Sequence, residues 1–254
     1  MSATPNNLQG VRRRIESAVE RAQRAPGSVE LVAVSKTFPA SAVVAAMRAG
    51  QRAFGENYLQ EALAKIDEVE RLCADPAAGP AVPPPIWHFI GPIQSNKTRA
   101  IAERFDWVHS VDRLKVVERL AAQRNPARGP LNVLVEVNVD GEASKSGVDP
   151  DAVPALVEAV MARPTLAFRG LMAVPAPRED PDAQRVPFAA VRRLADALRG
   201  RGMPCDVLSM GMSADLEAAI AEGATMVRVG TAIFGARPSK PVDPSTTDPV
   251  TEAS

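Results

Sequence analysis

Along the chain, short runs rich in β-branched residues alternate with longer stretches whose apolar positions recur every three or four residues. Runs of the first kind suit strands buried on both faces, and stretches of the second suit amphipathic helices that cover them. Eight such runs stand out: VELVAVS (29–35), RAFGE (52–56), IWHFI (86–90), DWVHS (106–110), LNVLVEVNV (131–139), LAFRGLMAV (166–174), CDVLSM (205–210) and MVRVG (226–230). An amphipathic helix over about residues 6–24 precedes them. Helix punctuation falls between the runs: Gly50 closes SAVVAAMRAG, Asp112 opens DRLKVVERLAAQ, and Ser213 opens SADLEAAIAEG ahead of Gly223.

Eight βα units in 254 residues match a closed (β/α)8 barrel of the TIM type, read as one domain over residues 1–237. An open doubly wound sheet fits less well, because no GxGxxG turn follows the first run. Two segments fall outside the barrel: the Pro/Ala connector 73–85 and the tail 238–254, whose lack of apolar periodicity predicts disorder.

Composition narrows the function classes. Thirty Lys and Arg balance thirty Asp and Glu, and the aromatic residues are seven Phe, two Trp and one Tyr, so nucleic acid would find neither net attraction nor stacking platforms. The apolar runs are too short to cross a bilayer, and mixed charge on a helical pattern at the N-terminus replaces a signal peptide. A cytoplasmic protein with no nucleic-acid or membrane partner is expected. Cys73 and Cys205 lie far apart with no metal-ligand spacing around them, so neither a disulfide framework nor a metal site is predicted.

In such a barrel the chemistry gathers where strands end. Lys36 ends LVAVSK on the same side as Val32 and Val34. A partly desolvated amine there has a lowered pKa and can attack a carbonyl; a lysine snorkelling to solvent or pairing with Glu56 fits the same pattern equally. The loops after runs seven and eight, SMGMS (209–213) and GTAIFG (230–235), bring Ser209, Ser213, Gly230 and Thr231 together with helix starts, which makes an anion cradle, although Ser213 alone reads as an N-cap. Arg228 shares a face with Met226 and points either into the barrel or under the helices, to meet a ligand or a carboxylate such as Glu136. Asn57 closes FGEN and forms either part of the mouth or a capping pair with Gln60. His88 and His109 read as satisfied core residues. GPIQSNKT (91–98) imitates a nucleotide phosphate loop, but Asn96 replaces the second glycine and Pro92 removes an N–H. Of six lysines, Lys36, Lys97 and Lys145 fall on strand-end loops. No Ser/His/Asp triad or carboxylate pair emerges, so no catalytic residue is assigned.

The motifs AVSKT (33–37), FGENYLQE (54–61), WHFIGPIQSNK (87–97), SKSG (144–147), RGLMAVPAP (169–177), LSMGMS (208–213) and MVRVGTAIFGAR (226–237) carry a family likeness. Together, from about Leu31 to Arg237, they resemble the pyridoxal phosphate homeostasis protein family. The resemblance implies a barrel like that of alanine racemase, fold type III, and pyridoxal 5′-phosphate (PLP) held covalently as a Schiff base on Lys36. It further implies Arg228 near the pyridine nitrogen, and Ser209, Ser213, Gly230 and Thr231 on the phosphate. Asn57 and Met210 would line the pocket, with His88 and Met172 beneath or beside the ring. The implied role is control of intracellular PLP, a vitamin B6 function, with delivery to PLP-dependent apo-enzymes. A racemase-like amino-acid enzyme is the alternative, and a Schiff-base aldolase acting on phosphorylated sugars a third. Racemases of this class draw a tyrosine base from an extra C-terminal domain, whereas here Tyr58 is the sole tyrosine and the barrel fills the length. A non-catalytic, monomeric PLP carrier is therefore expected.

Overall fold

Each β-branched run becomes a strand, and each strand is followed by a helix. The computed structural model describes residues 4–75, 81–142 and 146–236. The expected tail beyond Arg237 lies outside the described residues, as do Ser144 and Lys145 and part of the Pro/Ala connector. After α1 (Thr4–Arg21) come β1 (Glu30–Val34), α2 (Ala40–Arg48), β2 (Ala53–Glu56), α3 (Leu59–Ala74), β3 (Ile86–Phe89), α4 (Thr98–Arg104), β4 (Trp107–Val111) and α5 (Leu114–Gln123). The second half continues with β5 (Leu131–Glu136), α6 (Val153–Met161), β6 (Leu166–Met172), α7 (Pro181–Gly200), β7 (Val207–Ser209), α8 (Leu216–Ala221), β8 (Met226–Val229) and α9 (Thr231–Phe234). The eight strands pair in parallel in sequence order, and β8 returns to β1 through Glu30↔Met226 to Ala33↔Val229, closing the barrel.

Strand alternation divides the apolar residues into two cores. Val227 and Val229 face outward into the large core between strands and helices. Met226 faces inward, where Val32, Ala53, Leu134, Met172 and Val207 fill the barrel and Trp107 packs against them. Arg228 shares the inward face with Met226, which decides between the two directions left open by the sequence.

Two register shifts adjust this alternation. From Val108↔Val133 to Val111↔Val135 strand β4 advances three residues while β5 advances two, so β4 carries one extra residue around His109 and Ser110. From Val133↔Phe168 to Leu134↔Gly170 the extra residue belongs to β6 and is Arg169. Its side chain reaches out to Asp206 and lies 5.2 Å from the centre of the Trp107 ring.

Helix starts depart from the expected punctuation at two points. The Asp112 carboxylate pairs with Arg113 and does not cap α5. Helix α8 begins three residues later than Ser213, at Leu216, after Asp215 has accepted the Met212 N–H at 2.6 Å. A short acidic side chain closes that turn more readily than the serine ahead of it. At the end of α2, Gly50 takes φ +82°, and Arg12 of α1 donates to the carbonyls of Ala49 and Gly50.

Gly170 sits beside the β6 bulge at φ +148°, and a Cβ there would stand 1.9 Å from the Val207 carbonyl oxygen. Gly170→Ala must therefore push β6 and β7 apart, at a loss of roughly 3 kcal/mol or more. Urea unfolding of the two proteins tests this, and a matching midpoint would contradict the close approach.

Candidate functional site

Lys36 stands two residues beyond β1, half-buried, at the end of the barrel where all strands finish. The turn that carries it is fixed from behind. Ser35 is wholly buried, and its hydroxyl donates to Glu56 Oε1 at 2.7 Å. Lys65 of α3, also buried, donates to the Ser35 carbonyl and to Glu56 Oε1, each at 2.7 Å, and to Glu61 Oε1 at 2.9 Å. Glu61 in turn accepts the Thr37 N–H at 2.5 Å, which holds Thr37 in the left-handed region at φ +68°. Burial pushes the Glu56 carboxyl up, while Lys65 and Ser35 pull it back down. Sequence reasoning missed Lys65. Its i,i+4 spacing to Glu61 was visible, but an ordinary surface pair gives the same signal.

Arg228 occupies the barrel interior, 4% exposed. Its Nη1 donates to the Ser209 carbonyl at 2.6 Å and the Ser209 hydroxyl at 2.7 Å, and its Nη2 donates to the Ala173 carbonyl at 3.0 Å. Ligands of this guanidinium are thus strand-end carbonyls and a hydroxyl, not the Glu136 carboxylate that spacing allowed. Burial lowers its pKa to about 10, with Glu136 and Asp215 opposing, so it remains cationic at neutral pH. On the far side of Ser209 Oγ, at 3.0 Å, stands His109 Nδ1, and His109 Nε2 lies 2.9 Å from His88 Nδ1. Both imidazoles are fully buried, and desolvation holds His88 down at about 3 and His109 well below the usual value. The two histidines that read as separate core residues form one polar line ending at Arg228.

The other expected residues arrive by loop packing. Gly230 follows β8, and a Cβ on it would lie 3.0 Å from the Val34 carbonyl oxygen, so the loop bearing Gly230 and the exposed Thr231 rests on the end of β1, next to Lys36. Ser213 is half-buried in the turn before α8, and its carbonyl accepts from Arg14 at 2.8 Å while Arg14 pairs with Glu217 at 2.6 Å. The Ser209 hydroxyl is taken by Arg228 and His109, and the Met210 side chain is wholly buried in the outer core. Asn57 is half-buried after β2, with its Oδ1 buried and without a hydrogen-bond partner. No side chain caps the start of α3, where Tyr58 stands at the N-cap, so Asn57 and Gln60 do not form the capping pair their spacing allowed. Thr98, the hydroxyl of the would-be nucleotide loop, is wholly buried and donates to the Ser95 carbonyl. Among the described residues no group of His, Cys, Asp and Glu could hold a metal ion, and no helix is long and apolar enough to cross a membrane.

A family described as alanine racemase, N-terminal domain, matches residues 7–238. The chain is 56% identical over 237 residues to the pyridoxal phosphate homeostasis protein of Pseudomonas aeruginosa, spanning 93% of this chain and 97% of that one. This chain belongs to the pyridoxal phosphate homeostasis protein family. The fold is similar to that of PipY from Synechococcus elongatus without PLP, at TM-score 0.78 and 35% identity over 91% of this chain and all of the other. It is also similar to PipY with PLP bound, at TM-score 0.70 and 36% identity over 87% of this chain and all of the other.

This family member carries one further polar group at the mouth that sequence reasoning had placed only as a partner for Arg228. Glu136 ends β5, is 8% exposed, and has no side-chain hydrogen bond or ion pair among the described residues. Burial, with Asp112 adding to it and Arg228 opposing, pushes its carboxyl from an ordinary 4.5 to about 7. Between those values the unfolded chain has released its proton while the folded chain keeps it, so stability falls as pH rises from 4.5 and levels off above about 7. Glu136→Gln should remove that slope, giving a protein more stable than wild type at alkaline pH and little changed near pH 4.5. Thermal midpoints of the ligand-free proteins across this range decide it, and parallel curves would count against the raised carboxyl.

Proposed function

We propose that this chain binds PLP covalently through Lys36 and serves as a carrier that limits the free cofactor and passes it to PLP-dependent apo-enzymes. The observation that carries the reading is the incomplete hydrogen bonding of Arg228. A guanidinium has five N–H donors, and three are held by Ser209 and Ala173. Among the described residues nothing takes the Nε–H or the second Nη2–H. No Arg228 nitrogen is among the buried polar atoms left without a partner, so these donors are not sealed in protein and a ligand can reach them; a pyridine nitrogen with its lone pair is an acceptor of the right kind.

The remaining residues fit the same group. The turn fixed by Lys65 presents the Lys36 amine, while Ser213, Gly230 and Thr231 on the loops after β7 and β8 would hold the phosphate; the Met210 N–H is already given to the Met226 carbonyl at 3.1 Å. Ser209 joins that loop to Arg228. The partnerless Oδ1 of Asn57 leaves an acceptor at the same mouth. Bound PLP supplies an aldehyde that captures amines reversibly and a ring that withdraws electrons from them.

Arg228 also favours carriage over catalysis. It keeps its proton at neutral pH, so a pyridine nitrogen placed against it would stay an acceptor and the ring would withdraw electrons more weakly. Tyr58, the sole tyrosine, is 56% exposed at the start of α3. A monomeric cytoplasmic protein accords with this role.

Purified protein should absorb in the visible after addition of PLP, and borohydride reduction followed by peptide mapping should place the label on Lys36. Colourless, unlabelled protein would sink the proposal. Lys36→Ala should lose the label yet keep weaker, phosphate-anchored binding, because the loops after β7 and β8 do not depend on the amine. Arg228→Ala should weaken binding and shift the absorption band, and an unchanged spectrum and affinity would place Arg228 away from the ring.

A further inference from the structure

The contacts from Arg228 to His88 form a line whose hydrogen-bond direction is set by its ends. Arg228 only donates, so Ser209 Oγ must accept from Nη1. The hydroxyl retains one proton, and its other contact among the described residues is His109 Nδ1. If His109 Nδ1 instead carried the proton, Ser209 Oγ would accept twice. Its own proton would then be stranded in a fully buried site, and the lone pair of His88 Nε2 would be stranded as well. In the other direction Ser209 donates to His109 Nδ1, and His109 Nε2–H donates to His88 Nδ1. One N–H is then left over, at His88 Nε2, the ring atom that has no partner. Fewer buried groups are left unanswered that way.

We propose that His109 and His88 are positioning residues for Arg228, both neutral with the proton on Nε2, and that through Ser209 they fix the guanidinium that faces the bound ring. The extra residue in β4 makes this possible, since it brings His109 to the interior while Val108 and Val111 both stay in the outer core. His88 is held on its other side by stacking on Trp107, with ring centres 5.4 Å apart and planes 9° from parallel. His109 faces only His88 and Arg228 among charged or titratable groups that act on it, and both disfavour a second proton. The direction of the line stands on the protein alone. Its consequence for PLP rests on the reading of Arg228 given above.

With only two histidines in 254 residues, long-range proton–nitrogen correlation spectra of the ligand-free wild-type protein can assign both rings. Both should carry the proton on Nε2 and neither should titrate between about pH 5 and 8. A proton on Nδ1 of either ring, or a histidine titrating in that range, overturns the proposal. Ser209→Ala should release His109 into a mixture of tautomers, and an unchanged pattern would show that the hydroxyl does not set it. PLP titration supplies the second readout. His109→Leu should weaken binding about tenfold and shift the absorption band, whereas His109→Asn, which keeps an acceptor for the Ser209 hydroxyl, should restore both. Equal binding and spectra for these two variants would refute the positioning role. Wild-type protein that binds no PLP would instead refute the proposed function, and the histidine spectra would still decide the direction of the line.

Discussion

A permanent positive charge inside an apolar barrel constrains everything around it. Arg228 cannot discard its proton at neutral pH, and its neighbours inside the barrel include Val32, paired across β1, and other apolar side chains. Charge and donors must be answered by groups the barrel can spare. They are found where the ladder runs out: β7 is three residues long, β6 ends at Met172, and the carbonyls of Ser209 and Ala173 turn to the guanidinium. A hydroxyl and two neutral imidazoles extend that arrangement across the barrel to β3 and β4. The result is a cation held rigidly, with donors remaining toward the mouth.

The second constraint is the buried ion pair behind Lys36. Lys65 and Glu56 are almost fully enclosed, and removal of one partner from such a pair commonly costs about 3–5 kcal/mol because the other is left charged and dry. What the pair provides is geometry. It ties the ends of β1 and β2 to α3 and, through Glu61, sets the left-handed Thr37 that follows the lysine. Lys36, in the turn after β1, and Arg228, on the neighbouring strand β8, are each braced by their own buried polar network.

Space and chemistry are separated along the barrel axis. A cavity of about 740 Å³ opens at the opposite end, between α1 and the starts of β1 and β2, with Ile15, Val19, Glu30, Leu31 and Arg52 among its walls. None of Lys36, Arg228, Ser213 or Gly230 lines it. In α/β barrels polar chemistry gathers at the strand ends, where main-chain groups leave the ladder and loops can converge.

The alternation of β-branched runs with amphipathic stretches determined the barrel: eight strands, their order and the helix before them, because each run is long enough to be buried on both faces only if helices cover it. Motif residues likewise marked Lys36, Arg228, Ser213, Gly230 and Thr231 as a strand-end set. Three things needed the tertiary structure. The face of Arg228 depended on which side of β8 closes against β1. The joining of His88 and His109 depended on one extra residue in β4, which no local propensity records, since a bulge is fixed by the partner strand. The role of Lys65 depended on α3 lying behind the β1 turn, a contact between elements that sequence spacing presents only as a helical ion pair. Periodicity is a property of a segment and survives in its sequence; the direction of a buried hydrogen bond is a property of the partners that folding brings together.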